Sequence, residues 1–253
     1  MTHRFTGHDP AEGRDTGGVP WKGRTLTGTG FDDDTGQADA HLAELLAQDD
    51  PDPREVVAAV ARARLIVPIV AVPSEIDDSS GIPVDAVSDM ASVTLVAPDG
   101  QKALPAFTST AALAGWNADA RPVPVTAQRA ALAAVQEGCE VIPLDLAAPP
   151  GAPVFTLAPS MVWALAMDRP WVPAHEDEHV ASAVAAAVAD EDAVTGHALE
   201  EGPDDALLVE LALVPGLSEE QVQQLVTRVA EQIATDGEAR ARIEALAFRI
   251  THT

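Results

Sequence analysis

The chain has 253 residues, of which 47% are hydrophobic and 4% aromatic, and its formal net charge is −25. That hydrophobic content suffices for packed cores and excludes a wholly disordered chain. The strongly negative field repels polyanions, so it argues against nucleic acids and anionic membrane surfaces as partners.

Cys139 is the single cysteine, which excludes an internal disulfide and a cluster of metal-bound thiolates. Its acidic neighbour Glu140 works against a reactive thiolate. No apolar run approaches the roughly 18–20 residues that a membrane span needs. We therefore expect a cytoplasmic protein, and the sequence leaves its oligomeric state open.

Residues 1–36 are rich in Gly, Thr and Asp and show neither helical nor strand periodicity, which predicts a flexible arm. Trp21, Lys22 and Arg24 stand out within it because an aromatic ring and two cations are rarely left unused in such a segment. Two interpretations stay open. These residues either pack back on the body of the protein or dock a protein partner.

Capping residues mark the helices of the next segment. A helix is expected over residues 38–47, and Asp52 followed by Pro53 predicts the start of another. Residues 65–72 are apolar on both faces and predict an internal strand, whereas Pro68 within them favours an edge strand or a bulge, so both placements stay open. Thr126 caps a further helix, for which we expect an inward face formed by Ala131, Leu132 and Val135.

The stretch 91–113 predicts a hairpin followed by a helix. Residues 92–96 form a β-rich run, and Pro-Asp-Gly at 98–100 supplies a tight turn. Residues 102–107 are the predicted returning strand. Thr108 or Ser109 then caps a short helix that ends near Trp116.

From residue 174 the pattern changes. Valines at every fourth position from Val180 predict a helix, and residues 194–200 and 207–213 predict paired strands. Ser218 with Gln221 forms a capping box for a long helix, and a last helix leads to a terminal strand at 247–250. This order predicts a small α+β domain with antiparallel strands. The chain as a whole is thus expected to be of the α/β to α+β class: an N-terminal mixed-sheet α/β domain at 37–170 and a second, smaller α+β domain at 174–253.

A literal H-E-x-x-H motif occupies residues 175–179. Zinc hydrolases use this spacing because one helix face then presents both imidazoles, with the glutamate as general base. Here the intervening Asp177 and Glu178 are both acidic, as favoured in the first turn of an exposed helix. A charged helix start is the simpler interpretation. A zinc-dependent hydrolase that uses His175, Glu176 and His179 is the alternative function.

One segment carries a resemblance to a known family. The apolar strand at 92–96, the Asp-Gly turn, the segment ALPAFTS at 103–109 and Trp116 at the end of the following helix resemble the N-terminal domain of the SseB family. The resemblance extends over roughly residues 20–251, and the part after residue 174 is similar to the family's C-terminal domain.

The resemblance implies a non-catalytic protein without catalytic residues or a cofactor, which binds a protein partner or a small metabolite. The first candidate for a binding surface is the helix entrance formed by Phe107, Thr108 and Ser109, with Trp116. Backbone N–H groups at a helix start can hold a small anion or a carboxylate. The alternative for the same residues is a capped and packed helix with no ligand.

Overall fold

The computed structural model describes residues 30–72, 89–146 and 154–252. Its contacts divide the chain into two units, Met1–Thr35 and Gly36–Thr253. In the first unit, the described residues 30–35 contain a turn in which the N–H of Asp34 donates to the carbonyl of Phe31 at 3.0 Å. Trp21, Lys22 and Arg24 lie outside the described residues, so their docking role stays a prediction.

Helices alternate with short strands along Gly36–Thr253. The N-terminal part, residues 36–171, runs in the order α1 (Ala40–Leu46), α2 (Pro53–Arg62), β1 (Arg64–Val72), β2 (Asp89–Ser92), β3 (Leu95–Val96), β4 (Lys102–Ala103), α3 (Thr110–Trp116), β5 (Arg121–Thr126), α4 (Ala127–Gln136), β6 (Ile142–Pro143), β7 (Thr156–Leu157) and α5 (Pro159–Ala166). The C-terminal part, residues 172–252, contains α6 (Glu178–Val188), β8 (Val194–Glu201), β9 (Leu207–Leu213), α7 (Glu219–Thr235), α8 (Gly237–Arg242) and β10 (Leu246–His252). Single 3₁₀ turns lie at Ala174–Glu176 and Pro203–Asp205.

Carboxylates cap the first two helices, and the second of these caps is the one that the sequence predicts. The Asp39 carboxylate accepts a hydrogen bond from the N–H of Leu42 at 3.0 Å before α1, and Asp52 caps α2 with Pro53 at its first position. These caps satisfy N–H groups that have no partner inside the helix. The apolar faces of both helices then enter the N-terminal core.

Strand β1 is the centre of a three-stranded sheet of order β2-β1-β5, in which both pairings are antiparallel. Ile66 of β1 exchanges both backbone hydrogen bonds with Phe107, at 2.8 and 2.9 Å. Neighbouring residues of a strand direct their backbone N–H and C=O groups to opposite edges of the strand. The groups of Ile66 are directed to Phe107, so the even-numbered residues of β1 direct their backbone groups away from β5. Pro122 and Pro124 of β5 face even-numbered positions, so their ring nitrogens lie on the outer edge of the sheet.

The predicted hairpin forms, but its strands are shorter than expected. Residues 92–96 do not form one strand: Ser92 ends β2, and β3 pairs separately with β4. Beyond β4 the chain makes only isolated bridges, of which those from Ala103 to Val141 and from Ala106 to Leu144 are parallel. Antiparallel and parallel pairings therefore coexist in the N-terminal part, as the mixed-sheet prediction requires.

Helix α4 begins at its predicted cap but presents a different face to the core. Leu132 and Val135, expected to point inward, are 42% and 58% exposed, so the prediction for these two residues is wrong. Ala131 is buried as predicted, together with the small residues Ala130 and Ala134. Helix α4 packs closely against α5, and alanines at the contact allow the two backbones a short separation.

The C-terminal part has its own core beneath a sheet of order β10-β9-β8. Strands β8 and β9 are antiparallel as predicted, and the capping box of Ser218 and Gln221 is present at the start of α7. Strand β10 is parallel to β9 over seven residue pairs, so the prediction of antiparallel strands is wrong for β10. Helices α7 and α8 return the chain to the end at which β9 began, which is the usual connection between parallel neighbours.

The fold is of the predicted α/β to α+β class. Separate hydrophobic clusters occupy the N-terminal and C-terminal parts, and the division into domains at 37–170 and 174–253 stays a prediction. None of the helices in the described residues combines the length and the apolar composition required to cross a bilayer.

Candidate functional site

The structure brings the four residues of the predicted helix entrance together. Thr108 is 5% exposed, and its N–H and hydroxyl donate to the two carboxylate oxygens of Asp145, at 2.8 and 2.6 Å. Arg64 donates to the carbonyl of Thr108 at 2.8 Å. We call Arg64, Thr108 and Asp145 the helix-entrance network. A carboxylate of the chain itself thus lies beside the backbone where the sequence suggested a ligand carboxylate.

The remaining residues of this predicted site also contact their own chain. Phe107 is fully buried, and its ring centroid lies 5.3 Å from that of Trp116 in a small cluster that includes Ile66 and Leu113. The hydroxyl oxygen of Ser109 accepts the N–H of Ala112 and so caps α3. The geometry fits the interpretation as a capped, packed helix, and ligand binding by Phe107, Thr108, Ser109 and Trp116 stays a prediction.

The H-E-x-x-H sequence is not one helix. His175 lies in the 3₁₀ turn Ala174–Glu176, and Asp177 adopts an extended conformation and caps α6, which begins only at Glu178. The imidazole of His179 lies 3.0 Å from the carboxylate of Asp236, whereas the nearest charged partner of His175 is Glu176, at 3.6 Å. The shared helix face that the alternative of a zinc hydrolase requires is therefore not formed by His175 and His179. Within the described ranges, no group of three His, Cys, Asp or Glu residues is placed to hold a metal ion.

A cavity of about 350 Å³ lies between the N-terminal and C-terminal parts of the unit Gly36–Thr253. Five separate segments line it: residues 52–54, 158–161, 171–176, 201–207 and 242–244. Its size falls within the range of small-molecule sites. We call it the Ser160 cavity.

Ser160 is the most buried polar side chain of this cavity, with 3% of its surface exposed. Its N–H donates to the Glu244 carboxylate at 2.9 Å, and its hydroxyl oxygen accepts the indole N–H of Trp171 at 2.8 Å. An indole N–H only donates, so the hydroxyl hydrogen of Ser160 remains for another acceptor. No described residue accepts a hydrogen bond from this hydroxyl.

Two arginines line the cavity, and both are engaged. Arg54 donates to Glu176 at 2.5 Å, and this hydrogen bond is the main cause that lowers the pKa of the Glu176 carboxyl. Arg242 donates to Asp177 at 2.5 Å and to Glu238, and its guanidinium lies 5.0 Å from the centre of the Trp163 ring. Its buried Nε makes no hydrogen bond to any described residue. The contact between Arg242 and Trp163 holds α8 against α5.

Ser160 and Cys139 are two nucleophilic side chains of the described residues, and each has a structural environment. Ser160 and His175 line the same cavity, but no hydrogen bond joins them in the part of the chain that the structure describes. Such a bond is what activates a serine. The Cys139 thiol is buried, and this burial is the main cause that raises its pKa and favours the unreactive thiol.

Sequence reasoning missed Ser160, Trp171 and Glu244 as site residues. Trp171 lies in a proline-rich segment that has the composition of a linker, and Ser160 lies in an apolar helix start. The available signal was Trp171 itself, since a tryptophan between two prolines is seldom exposed without a contact.

The comparisons with known proteins bear on the N-terminal part. Residues 39–164 match a family model described as SseB protein N-terminal domain. No curated protein and no solved structure matches the chain. The match covers α1 to most of α5, which includes the helix-entrance network and the Ser160 wall of the cavity.

Proposed function

The chain belongs to the SseB family, and from this premise we propose that it is a non-catalytic cytoplasmic protein that binds a small metabolite in the Ser160 cavity. The observation that carries the proposal is the buried Ser160 hydroxyl, which donates no hydrogen bond to any described residue although it borders a cavity. A buried donor without an acceptor costs free energy. A bound molecule would supply that acceptor.

The walls of the cavity support the same proposal. Trp171, Met161 and Leu207 contribute apolar surface, while Ser160 and several carboxylates contribute polar groups. Apolar walls with a few convergent polar groups are the usual composition of a small-molecule site. The assignment of the C-terminal part to the family's C-terminal domain stays part of the proposal.

The proposal is non-catalytic because Ser160, Arg242 and Glu244 each make a structural contact at the cavity. Trp171 holds the Ser160 hydroxyl, and Asp177 and Glu238 hold Arg242. Glu244 accepts the Ser160 N–H and so remains at the start of α5. A general base requires a hydrogen bond to the group that it deprotonates, and the described residues supply none to Ser160.

The test is a fragment screen on the full chain by ligand-observed NMR, with cationic, neutral and anionic fragments in equal number. Ala158 lines the cavity and is half-buried against the N-terminal core, so Ala158→Leu reduces the cavity. Ala133 is also half-buried against that core but does not line the cavity, which makes Ala133→Leu the matched control.

We expect at least one fragment to bind the wild type and Ala133→Leu and to lose binding in Ala158→Leu. Binding that Ala158→Leu leaves unchanged, or no binding from any charge class, contradicts the proposal. Spectra recorded during the same titrations show whether a bound fragment is converted, and conversion would contradict the non-catalytic part. Cell fractionation tests the cytoplasmic location.

A further inference from the structure

The uncompensated charge of the Ser160 cavity is negative. Glu201, the last residue of β8, and Asp205, in the turn that follows, are exposed residues that line it without a hydrogen bond or ion pair to any side chain that the structure describes. Glu244 accepts a backbone N–H but contacts no described cation. The arginines that line the cavity are already paired with Glu176, Asp177 and Glu238.

The start of helix α5, a feature that would favour an anion, is already used. Helix α5 begins at the cavity without a side-chain cap, and a helix N-terminus attracts negative charge. The Glu244 carboxylate lies there, bound to the N–H of Ser160 at 2.9 Å. A second anion would meet this carboxylate as well as Glu201 and Asp205, and would be repelled.

The Ser160 hydroxyl adds a requirement that is independent of charge. Its hydrogen needs an acceptor, and its 3% exposure means that a ligand must reach into the cavity to provide one. Trp171 and Met161 beside it favour an apolar body over a fully hydrated ion. The ligand therefore combines a cationic group, an uncharged acceptor and apolar surface.

We infer that the Ser160 cavity binds a small organic cation, an amine that carries a carbonyl or hydroxyl acceptor and an apolar body. Glu201 and Asp205 contact the ammonium group, and the Ser160 hydroxyl donates to the acceptor. The inference rests on the proposed function and assigns the chemical class of its ligand.

The experiment compares three probes of similar shape by isothermal titration calorimetry at about pH 6: phenylalaninamide, which is a cation at this pH, hydrocinnamamide, which is neutral, and hydrocinnamate, which is an anion. We expect phenylalaninamide to bind about tenfold more tightly than hydrocinnamamide at low salt, and the anion not to bind. Raising the salt concentration should weaken only the binding of the cation, because salt screens charges near the surface.

Two double variants separate local charge from net charge. Glu201→Gln with Asp205→Asn should weaken the binding of phenylalaninamide on the order of tenfold and leave the affinity for hydrocinnamamide unchanged. Glu137→Gln with Asp119→Asn removes the same charge from exposed residues that do not line the cavity, and it should change the affinity for neither probe. Ser160→Ala should weaken the binding of both amides, since both carry the carbonyl acceptor.

The outcomes distinguish the inference from the proposed function. If the neutral or anionic probe binds as tightly as the cation and Ala158→Leu abolishes that binding, the inference is wrong and the proposed function stands. An equal effect of the two double variants also overturns the inference, because the preference would then reflect net charge. If no fragment of the wider screen binds, the proposed function itself fails.

Discussion

Two buried hydroxyl groups of this protein are in opposite situations. Thr108 in the helix-entrance network donates to Asp145, and its backbone N–H and carbonyl are bonded as well. Ser160 accepts from Trp171, while its hydrogen has no acceptor in the described residues and borders a cavity. The comparison shows why residue type alone does not identify a binding site. A buried polar side chain with every bond made stabilises the fold, whereas one with a bond left to make can bind a ligand.

The largest effect expected from this comparison is at Asp145. Asp145→Ala leaves the N–H and hydroxyl of Thr108 buried without acceptors, so we expect it to lower the free energy of unfolding by about 3 kcal/mol. Asp145 and the exposed Asp168 share a positive φ of 53°, so Asp168→Ala carries the same backbone strain without the network. Urea denaturation of both variants measures the difference. Equal losses would show that the strain, not the network, accounts for the effect.

A smaller loss of stability is expected when Arg242 is replaced. This variant tests whether Arg242 is a structural cation or one that is free to bind a ligand. Arg242→Met removes the guanidinium from Asp177, whose side chain is 5% exposed, and leaves that carboxylate without its counter-charge. Because Arg242 itself is partly exposed, we expect a loss of about 2 kcal/mol in the free energy of unfolding, less than for a fully buried pair.

Arg249 pairs with Glu200 and Glu210 at half-exposed positions, so Arg249→Met is the control and should change stability little. Thermal denaturation under identical conditions compares the two variants. A loss for Arg249→Met as large as that for Arg242→Met would contradict the distinction between the two arginines.

The smallest expected effect is on the pH dependence of the protein's stability. Hydrogen bonds to the Asp236 carboxylate, first from the N–H of Ala239 and then from His179, hold the pKa of Asp236 below its usual value. A lowered pKa means that the carboxylate stabilises the fold above the ordinary pKa and that this contribution disappears as the pH falls through the lowered pKa.

Asp236→Asn retains an acceptor for the helix cap but removes the charge. We therefore expect the wild type to have the higher Tm at about pH 7, and the difference to be smaller at about pH 3, below the ordinary pKa of an aspartate. A difference that is undiminished at the lower pH would show that the charge of Asp236 is not its cause. Scanning calorimetry at both pH values decides this.

Local signals predicted much of the fold. Asp52 with Pro53, Thr126, and Ser218 with Gln221 each act within one helical turn, and each begins a helix where the sequence indicates. Alternating leucines from Leu207 likewise predicted a buried strand face. These features depend on neighbours in the sequence and so can be read from it.

Features that depend on distant partners were not predicted correctly. Leu132 and Val135 have the more apolar side chains of α4, yet the close contact with α5 selects the alanine face. The direction of β10 depends on where α7 and α8 return the chain. The H-E-x-x-H spacing would align two imidazoles only on a continuous helix, and Asp177 begins α6 after the first histidine.

The candidate site was beyond sequence reasoning for the same reason. The Ser160 cavity combines segments as far apart as residues 52–54 and 242–244, which meet only when α8 packs against α5. The helix entrance was found because its residues are consecutive, but its partner Asp145 lies 37 positions away from Thr108. That distant carboxylate is what turns a predicted anion site into a bonded network.

Pro122 and Pro124, placed on the outer side of β5, have a consequence for self-association. The exposed margin of a sheet offers a ladder of amide hydrogens to any extended chain, and that ladder is a common starting point for aggregation. Each proline removes one amide hydrogen from this margin, and the two occupy alternate positions that point the same way. A second molecule that approached there would find two consecutive rungs missing, so these prolines protect the protein from β-mediated aggregation at high concentration.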